Sequence, residues 1–237
     1  MFHDLLHTYD CVVDDAHNHT EYEAEDIHGC SKTLRKMLLE EIRIQKSDRI
    51  YCLGDFVDRG RDSKGVFDFI LELRDKGHKI HTLRGNHEQM MMDSGLSPEN
   101  FQLWIRNGGD TTLKSFGIAS YDELQPVYKS FLHRTKFIIS SGSYILVHAG
   151  LNFYCPDPFE DKEAMLWIRE FYIDPQKLGN RMIIHGHTPK TLPEILRQQG
   201  PSINLDGGCV YNLLHEYGNL VAWDMTEKKF LVVNNVD

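Results

Sequence analysis

Residues 50–60 read Ile50-Tyr51-Cys52-Leu53-Gly54-Asp55-Phe56-Val57-Asp58-Arg59-Gly60, and residues 79–88 read Lys79-Ile80-His81-Thr82-Leu83-Arg84-Gly85-Asn86-His87-Glu88. Each is a short apolar run that stops at a glycine and is followed by carboxylate, amide or imidazole side chains. Runs of this length bounded by glycine read as strands. Between them Val66, Phe69, Ile70 and Leu73 recur at helical spacing, and Lys76-Gly77 supplies a C-cap signal. A strand, a helix and a strand in that order form a crossover, which implies parallel strands. The stretch therefore predicts an α/β fold with metal-type side chains at the carboxyl ends of strands, where open α/β sheets place their ligand sites.

Upstream, Leu34, Met37, Leu38 and Ile42 mark an amphipathic helix that begins at Ser31. Downstream, residues 98–134 read as a helical insertion interrupted at Gly108-Gly109, with Phe101, Trp104 and Ile105 on one face as expected core. From Lys136 the pattern turns strand-rich: 136–140, 144–147, 182–184, 202–205, and a hairpin of 220–224 with 230–233. No internal repeat interrupts this order. A chain of 237 residues supports one sizeable core, and a single domain over 1–237 is expected.

Composition removes several function classes. With 26 Lys and Arg against 35 Asp and Glu the formal charge is −9, which disfavours sequence-independent binding to nucleic acid or to an acidic membrane surface. Five scattered cysteines without a Cys-x-x-Cys pair suggest neither a disulfide framework nor a thiolate zinc site. Residues 1–10 carry no apolar core of a leader and no run approaches a membrane span, so a cytoplasmic protein is expected.

Five motifs carry the chemistry: Asp26-Ile27-His28-Gly29, Gly54-Asp55-Phe56-Val57-Asp58-Arg59-Gly60, Arg84-Gly85-Asn86-His87-Glu88, Val147-His148-Ala149-Gly150 and His185-Gly186-His187-Thr188-Pro189. Oxygen donors from Asp and Asn combined with imidazole suit Mn, Fe or Zn in a catalytic centre. In this order the motifs resemble the calcineurin-like metallophosphoesterases, and among them the phosphoprotein phosphatases. Asn107-Gly108-Gly109 and Leu166-Trp167-Ile168-Arg169-Glu170 resemble the small bacterial and bacteriophage branch. The resemblance spans about residues 26–218. It implies a sandwich of two mixed β-sheets flanked by helices, with a helical insertion in mid-chain.

The resemblance also implies roles. Asp26 and His28 are expected at a first metal ion, Asp55 as a bridge between two ions, and Asn86, His148 and His187 at the second. Two divalent ions on the order of 3.5 to 4 Å apart acidify a shared water, and the resulting hydroxide attacks phosphorus in line. His87, oriented by Asp58, is the expected proton donor to the leaving group, and Arg59 and Arg169 the expected clamp on the phosphate oxygens. Mn is the expected metal, with Fe or Zn as alternatives, and a phosphoserine or phosphothreonine protein or peptide the expected substrate. The alternatives are a symmetrical dinucleoside tetraphosphate hydrolase and a non-catalytic phosphate-binding module. Against the first, that group resembles this chain less closely at Asp58, where it carries Ala, and at Glu88, where it carries Asp. His185 and the remaining histidines, and Met90-Met91-Met92, are expected to be packing or surface groups.

The approach to the first motif departs from the pattern. Glu21, Glu23 and Glu25 precede Asp26, and three glutamates do not suit a buried central strand. An exposed polar first strand, or an unforeseen pairing of residues 1–25, is the expectation. The apolar Cys11-Val12-Val13 leads into a rival pair, Asp14 and His17, but the helix from Ser31 follows Gly29-Cys30 at the spacing that favours Asp26 and His28.

Overall fold

In the computed structural model, which describes residues 20–24 and 26–237, the predicted unit is β2 (Arg49–Cys52), α2 (Ser63–Asp75) and β3 (Lys79–Thr82), with β2 and β3 parallel and Ile50 paired with Ile80. The rival pair Asp14 and His17 lies outside the described residues. Asp62 caps α2 by accepting from the Gly65 N–H at 2.9 Å. The helix predicted from Ser31 is α1 (Ser31–Lys36), continued by a π-turn over Met37–Glu41. Cys30 gives this helix no side-chain cap. Asp237 does so from far along the chain, accepting from the Lys32 N–H at 3.0 Å and the Thr33 N–H at 2.9 Å.

β1 (Glu21–Ala24) is central, parallel to β2 on one side and antiparallel to β8 (Asn219–Asp224) on the other; β9 (Lys229–Asn234) completes a five-stranded sheet ordered β3-β2-β1-β8-β9. The second sheet is β4 (Ile138–Ser141), β5 (Tyr144–Val147), β6 (Met182–His185) and β7 (Ser202–Asn204) in chain order. Its first pair is antiparallel and the others parallel, so both sheets are mixed. The insertion is α3 (Asn86–Asp93), α4 (Pro98–Trp104), α5 (Asp110–Phe116) and α6 (Pro126–His133), while α7 (Lys162–Trp167), α8 (Pro175–Leu178) and α9 (Leu192–Leu196) serve the second sheet.

Strand periodicity explains the layers. On β2, Ile50 and Cys52 join Leu34, Val66 and Phe67 in a core under the first helices, whereas Tyr51 turns to meet Leu146, Ile184 and Val221 between the sheets. On β5, Ile145 and Val147 face outward to Met165 and Leu178, and Leu146 faces inward. Met90 and Met91 are core residues, as expected.

Of the two alternatives for the first strand, exposure or an unforeseen pairing, exposure is not what forms. β1 is paired on both sides, and Glu23 stands opposite Tyr51 and Trp223, so it points between the sheets. Glu21 is accommodated because Tyr51 Oη, Ser141 Oγ and Arg49 donate to its carboxylate. Glu23 is fully buried and neither carboxyl oxygen has a hydrogen-bond partner; burial, reinforced by Glu21, pushes its pKa well above the usual carboxylate range. Burial thus favours its neutral form.

A carboxyl raised in the folded chain binds a proton that the unfolded chain releases. Its stabilising contribution is complete below the unfolded value of about 4.3 and is lost as pH rises toward the folded value, at about 1.4 kcal/mol per pH unit. Glu23→Met is therefore expected to stabilise the chain at pH 7, with a gain that grows between pH 5 and 8 by up to about 1.4 kcal/mol per pH unit in urea unfolding. A gain independent of pH would show that Glu23 does not carry the linkage.

Candidate metal centre

The loops after β1, β2, β3, β5 and β6 converge at one end of the sandwich, and there the backbone is unusual. Asp26, His28, Asp55, Asp58, Arg59 and His187 all have φ between 40° and 70°, a region that L-residues enter at a cost and that the surrounding structure must hold. Two close approaches hold it. A Cβ on Gly60 would stand 1.8 Å from the His28 carbonyl oxygen, and one on Gly108 2.9 Å from Arg59 N, so only glycine lets these segments touch. The Gly108-Gly109 break seen in the sequence brings the insertion onto this loop, where the Arg59 N–H donates to Gly108 O at 3.2 Å.

Glu88 locks the next pair of loops together. Its carboxylate accepts from the N–H groups of Gly85 (2.9 Å), Asp55 (2.8 Å), Phe56 (2.8 Å) and Val57 (3.3 Å). Burial and the neighbouring Asp55 raise its pKa, and the Gly85 and Phe56 N–H groups oppose that rise. Glu88 thus fixes Asp55 relative to Asn86 and His87.

Asp55 lies at the middle. Its Oδ2 is 3.4 Å from His28 Nε2 and 4.0 Å from His87 Nε2, and its Oδ1 is 3.6 Å from His148 Nε2. Burial works against its charge, but the surrounding His148, His87, His28 and His187 outweigh it and hold the carboxyl well below the usual range. Two buried clusters share this residue: His28, Asp55 and His87, and Asp55, His148 and His187.

The imidazole tautomers follow from the backbone. His28 Nδ1–H donates to Val57 O at 2.7 Å and His148 Nδ1–H to Leu53 O at 3.1 Å, which leaves Nε2 of each ring as the lone-pair nitrogen. Burial lowers both pKa values, so the rings are neutral. His148 Nε2 then faces two other acceptors, Asn86 Oδ1 at 3.0 Å and Asp55 Oδ1 at 3.6 Å. His187, brought to about 3 chiefly by burial, has Nδ1 3.0 Å from Asn86 Oδ1, and its buried Nε2 has no partner. The oxygen and nitrogen donors that turn toward one another here form a set that fits a divalent metal ion.

His87 differs. Its Nδ1 is 2.7 Å from Asp58 Oδ2 and its own N–H donates to Asp55 Oδ1 at 3.1 Å. Burial opposes protonation, yet Asp55 and Asp58 together raise its pKa. Asp58 is saturated: Thr112 Oγ1 donates to Oδ1 at 2.7 Å, and Trp104 Nε1 donates to both oxygens at 3.0 and 2.9 Å. Trp104, expected only as core, also orients this carboxylate, and Thr112 gave no sequence signal.

The remaining expected residues flank this centre. The Arg59 guanidinium donates to His28 Nε2 at 2.7 Å and lies 5.8 Å above the Tyr211 ring. Arg169 is exposed just past α7, close enough for its charge to lower the His187 pKa. Asp26 is buried beside a carboxylate that the sequence reading passed over, Asp206. His185 packs against Phe171 and belongs to neither cluster. Trp104→Phe, which removes one donor to a charged acceptor, is expected to lower turnover about tenfold with metal content unchanged. An unaltered rate and pH profile would reduce Trp104 to packing.

A family model described as calcineurin-like phosphoesterase matches residues 26–234. The chain belongs to that family. This calcineurin-like phosphoesterase is 31% identical over 170 residues to serine/threonine-protein phosphatase 1 of Salmonella typhimurium, covering 69% of this chain and 76% of that protein. It is 32% identical over 131 residues to a symmetrical bis(5'-nucleosyl)-tetraphosphatase of Nitrosospira multiformis, covering 55% of this chain and 43% of that one. Its fold is similar to that of a cold-active protein-tyrosine phosphatase from a psychrophilic Shewanella species, with a TM-score of 0.64 and 16% identity over 91% of this chain and 78% of that chain. The chain is thus a metal-dependent phosphoesterase with a buried His/Asp site, and its relatives divide between phosphoprotein and dinucleotide substrates. Among the described residues no helix is long and apolar enough to cross a membrane.

Proposed function

We propose that this phosphoesterase hydrolyses phosphoserine and phosphothreonine monoesters in proteins. The observation that carries the reading is the buried His87–Asp58 pair with its Trp104 and Thr112 supports. An alkoxide leaving from a serine or threonine phosphate needs a proton, whereas a nucleotide leaving from a tetraphosphate departs as a stable phosphate anion. An imidazole whose pKa two carboxylates raise beside the reacting centre serves the first reaction most.

In this reading Asp26, His28 and Asp55 hold one divalent ion and Asp55, Asn86, His148 and His187 the other, with Mn as the proposed metal. The ions supply Lewis acidity, acidifying water and neutralising phosphoryl charge. Arg59 and Arg169 bind and orient the phosphate oxygens through their planar donors. His87 gives its Nε2 proton to the departing oxygen, and Asp58 keeps the ring turned and charged through Nδ1.

The test compares hydrolysis of a phosphothreonine peptide and of diadenosine tetraphosphate by chelator-treated protein with and without added Mn²⁺, counting ions per chain. Mn²⁺-dependent turnover of the peptide with two ions bound is expected. Preference for the dinucleotide would transfer the assignment to the tetraphosphatases, and two bound ions without turnover of either would favour a phosphate-binding module.

A further inference from the structure

The same sequence signal that marks the five motifs occurs once more. The run Ser202-Ile203-Asn204-Leu205 ends at Asp206-Gly207-Gly208, so β7 delivers a carboxylate at its carboxyl end as β1, β2 and β3 do. Asp206 is fully buried, and its carboxyl lies against that of Asp26.

Its orientation is fixed from three directions. The Gly208 N–H donates to Asp206 Oδ1 at 2.9 Å, and the Asp206 N–H donates to Asn204 Oδ1 at 2.8 Å. The Asp206 carbonyl accepts from the Lys190 N–H at 2.8 Å, which ties this loop to the one that carries His187. With Oδ1 engaged, Oδ2 remains a buried oxygen without a hydrogen-bond partner of its own. The charges of Asp55 and Arg59 both reach this carboxyl, so it lies within the electrostatic field of the centre. Asn204 is itself braced, its Nδ2 donating to Thr188 O at 3.0 Å. A loop held this firmly around one acidic side chain is built to present that side chain. Two buried carboxyl groups that meet at the loop ends of both sheets offer a divalent cation oxygen donors from each.

We infer that Asp206 is a further carboxylate ligand of the first ion, joining Asp26, His28 and Asp55. The inference rests on the binuclear reading above for the presence of that ion, and on the geometry of β7 for the residue. A hard divalent ion bound by one terminal carboxylate, a bridging carboxylate and one imidazole has room for another oxygen. Asp206 supplies it from the second sheet, so the first ion also spans both sheets.

The probe is Mn²⁺ alone, titrated calorimetrically into ion-free wild type and Asp206→Asn, with bound metal counted after desalting. Asn keeps the Oδ1 that accepts from Gly208 and removes only the charge. Two ions in the wild type and a 10- to 100-fold weaker first ion in Asp206→Asn, with the second unchanged, are expected. Thermal unfolding of the ion-free proteins provides the second readout: Asp206→Asn should unfold at the same or a higher temperature, because it relieves a carboxylate pair. A structural residue would instead lower it. Equal affinity for both ions in the variant, or loss of ion-free stability, overturns the assignment and leaves the binuclear reading intact. A wild type that binds no Mn²⁺ overturns both.

Discussion

Asp55→Asn is expected to lose both ions and essentially all turnover, because its two oxygens serve the two clusters separately. Oδ2 faces His28 and His87 while Oδ1 faces His148. The amide retains one oxygen but loses the charge and replaces the other oxygen with a hydrogen-bond donor aimed at imidazole lone pairs. Breaking a buried charged contact by removing one partner costs about 3 to 5 kcal/mol, which corresponds to 10² to 10³-fold or more in affinity for each ion. Calorimetric titration with Mn²⁺ beside turnover of a phosphothreonine peptide checks this. Retention of two tightly bound ions by Asp55→Asn would show that the carboxylate bridges nothing.

His87→Ala is expected to separate binding from chemistry. It removes an imidazole whose Nδ1 is engaged by Asp58 and whose pKa the two carboxylates raise, while leaving His28, Asp55, Asn86, His148 and His187 in place. Loss of a positioned general acid costs about 10² to 10⁴ in rate. The loss should be largest for alkyl phosphates and small for an aryl phosphate whose leaving group departs unprotonated. Metal content should stay at the wild-type value. If both substrates slow equally, His87 acts on the ions or the phosphate and not on the leaving group.

Much of this site was legible because metal-type residues follow apolar runs. Asp55, Asn86, His148 and His187 could be read from strand ends, and the glycine break at 108 marked one of the two close approaches. Asp26 and His28 were expected at the first ion despite the polar strand before them; His28 falls in a buried cluster with Asp55 and His87, and Asp26 in neither cluster. What failed was the exposed alternative for Glu21 and Glu23: period-two geometry turns both between the sheets, where Glu21 finds three donors and burial favours the neutral form of Glu23. Partners such as Ser141 lie on another sheet and leave no local trace. Thr112 was invisible for the same reason, since a threonine inside a helical insertion reads as surface until the fold sets it on Asp58. Trp104 was legible as buried but not as a donor, because helical spacing reports a face and says nothing of an indole N–H. Asp206 followed the rule that found the others and was passed over.

The two sheets differ in what they contribute: β1, β2 and β3 lead to Asp26, His28, Asp55 and Asn86, while β5 and β6 lead to His148 and His187. Between the sheets the contact is largely apolar, through Leu146, Ile184 and Val221 with the Tyr51 ring, and is crossed by the hydrogen bond from Ser141 to Glu21; ligands around an ion add a firmer tie. The centre is then a rivet as well as a reactive site. By mass action, ions that bind only the assembled sandwich add RT ln(1 + [M]/Kd) to its stability, about 2.7 kcal/mol at a hundredfold excess over Kd. Chelation is expected to lower the melting temperature and to loosen the seam before either sheet, as amide exchange on β1 and β5 would record. A phosphoesterase kept short of metal would thereby lose its lifetime along with its rate.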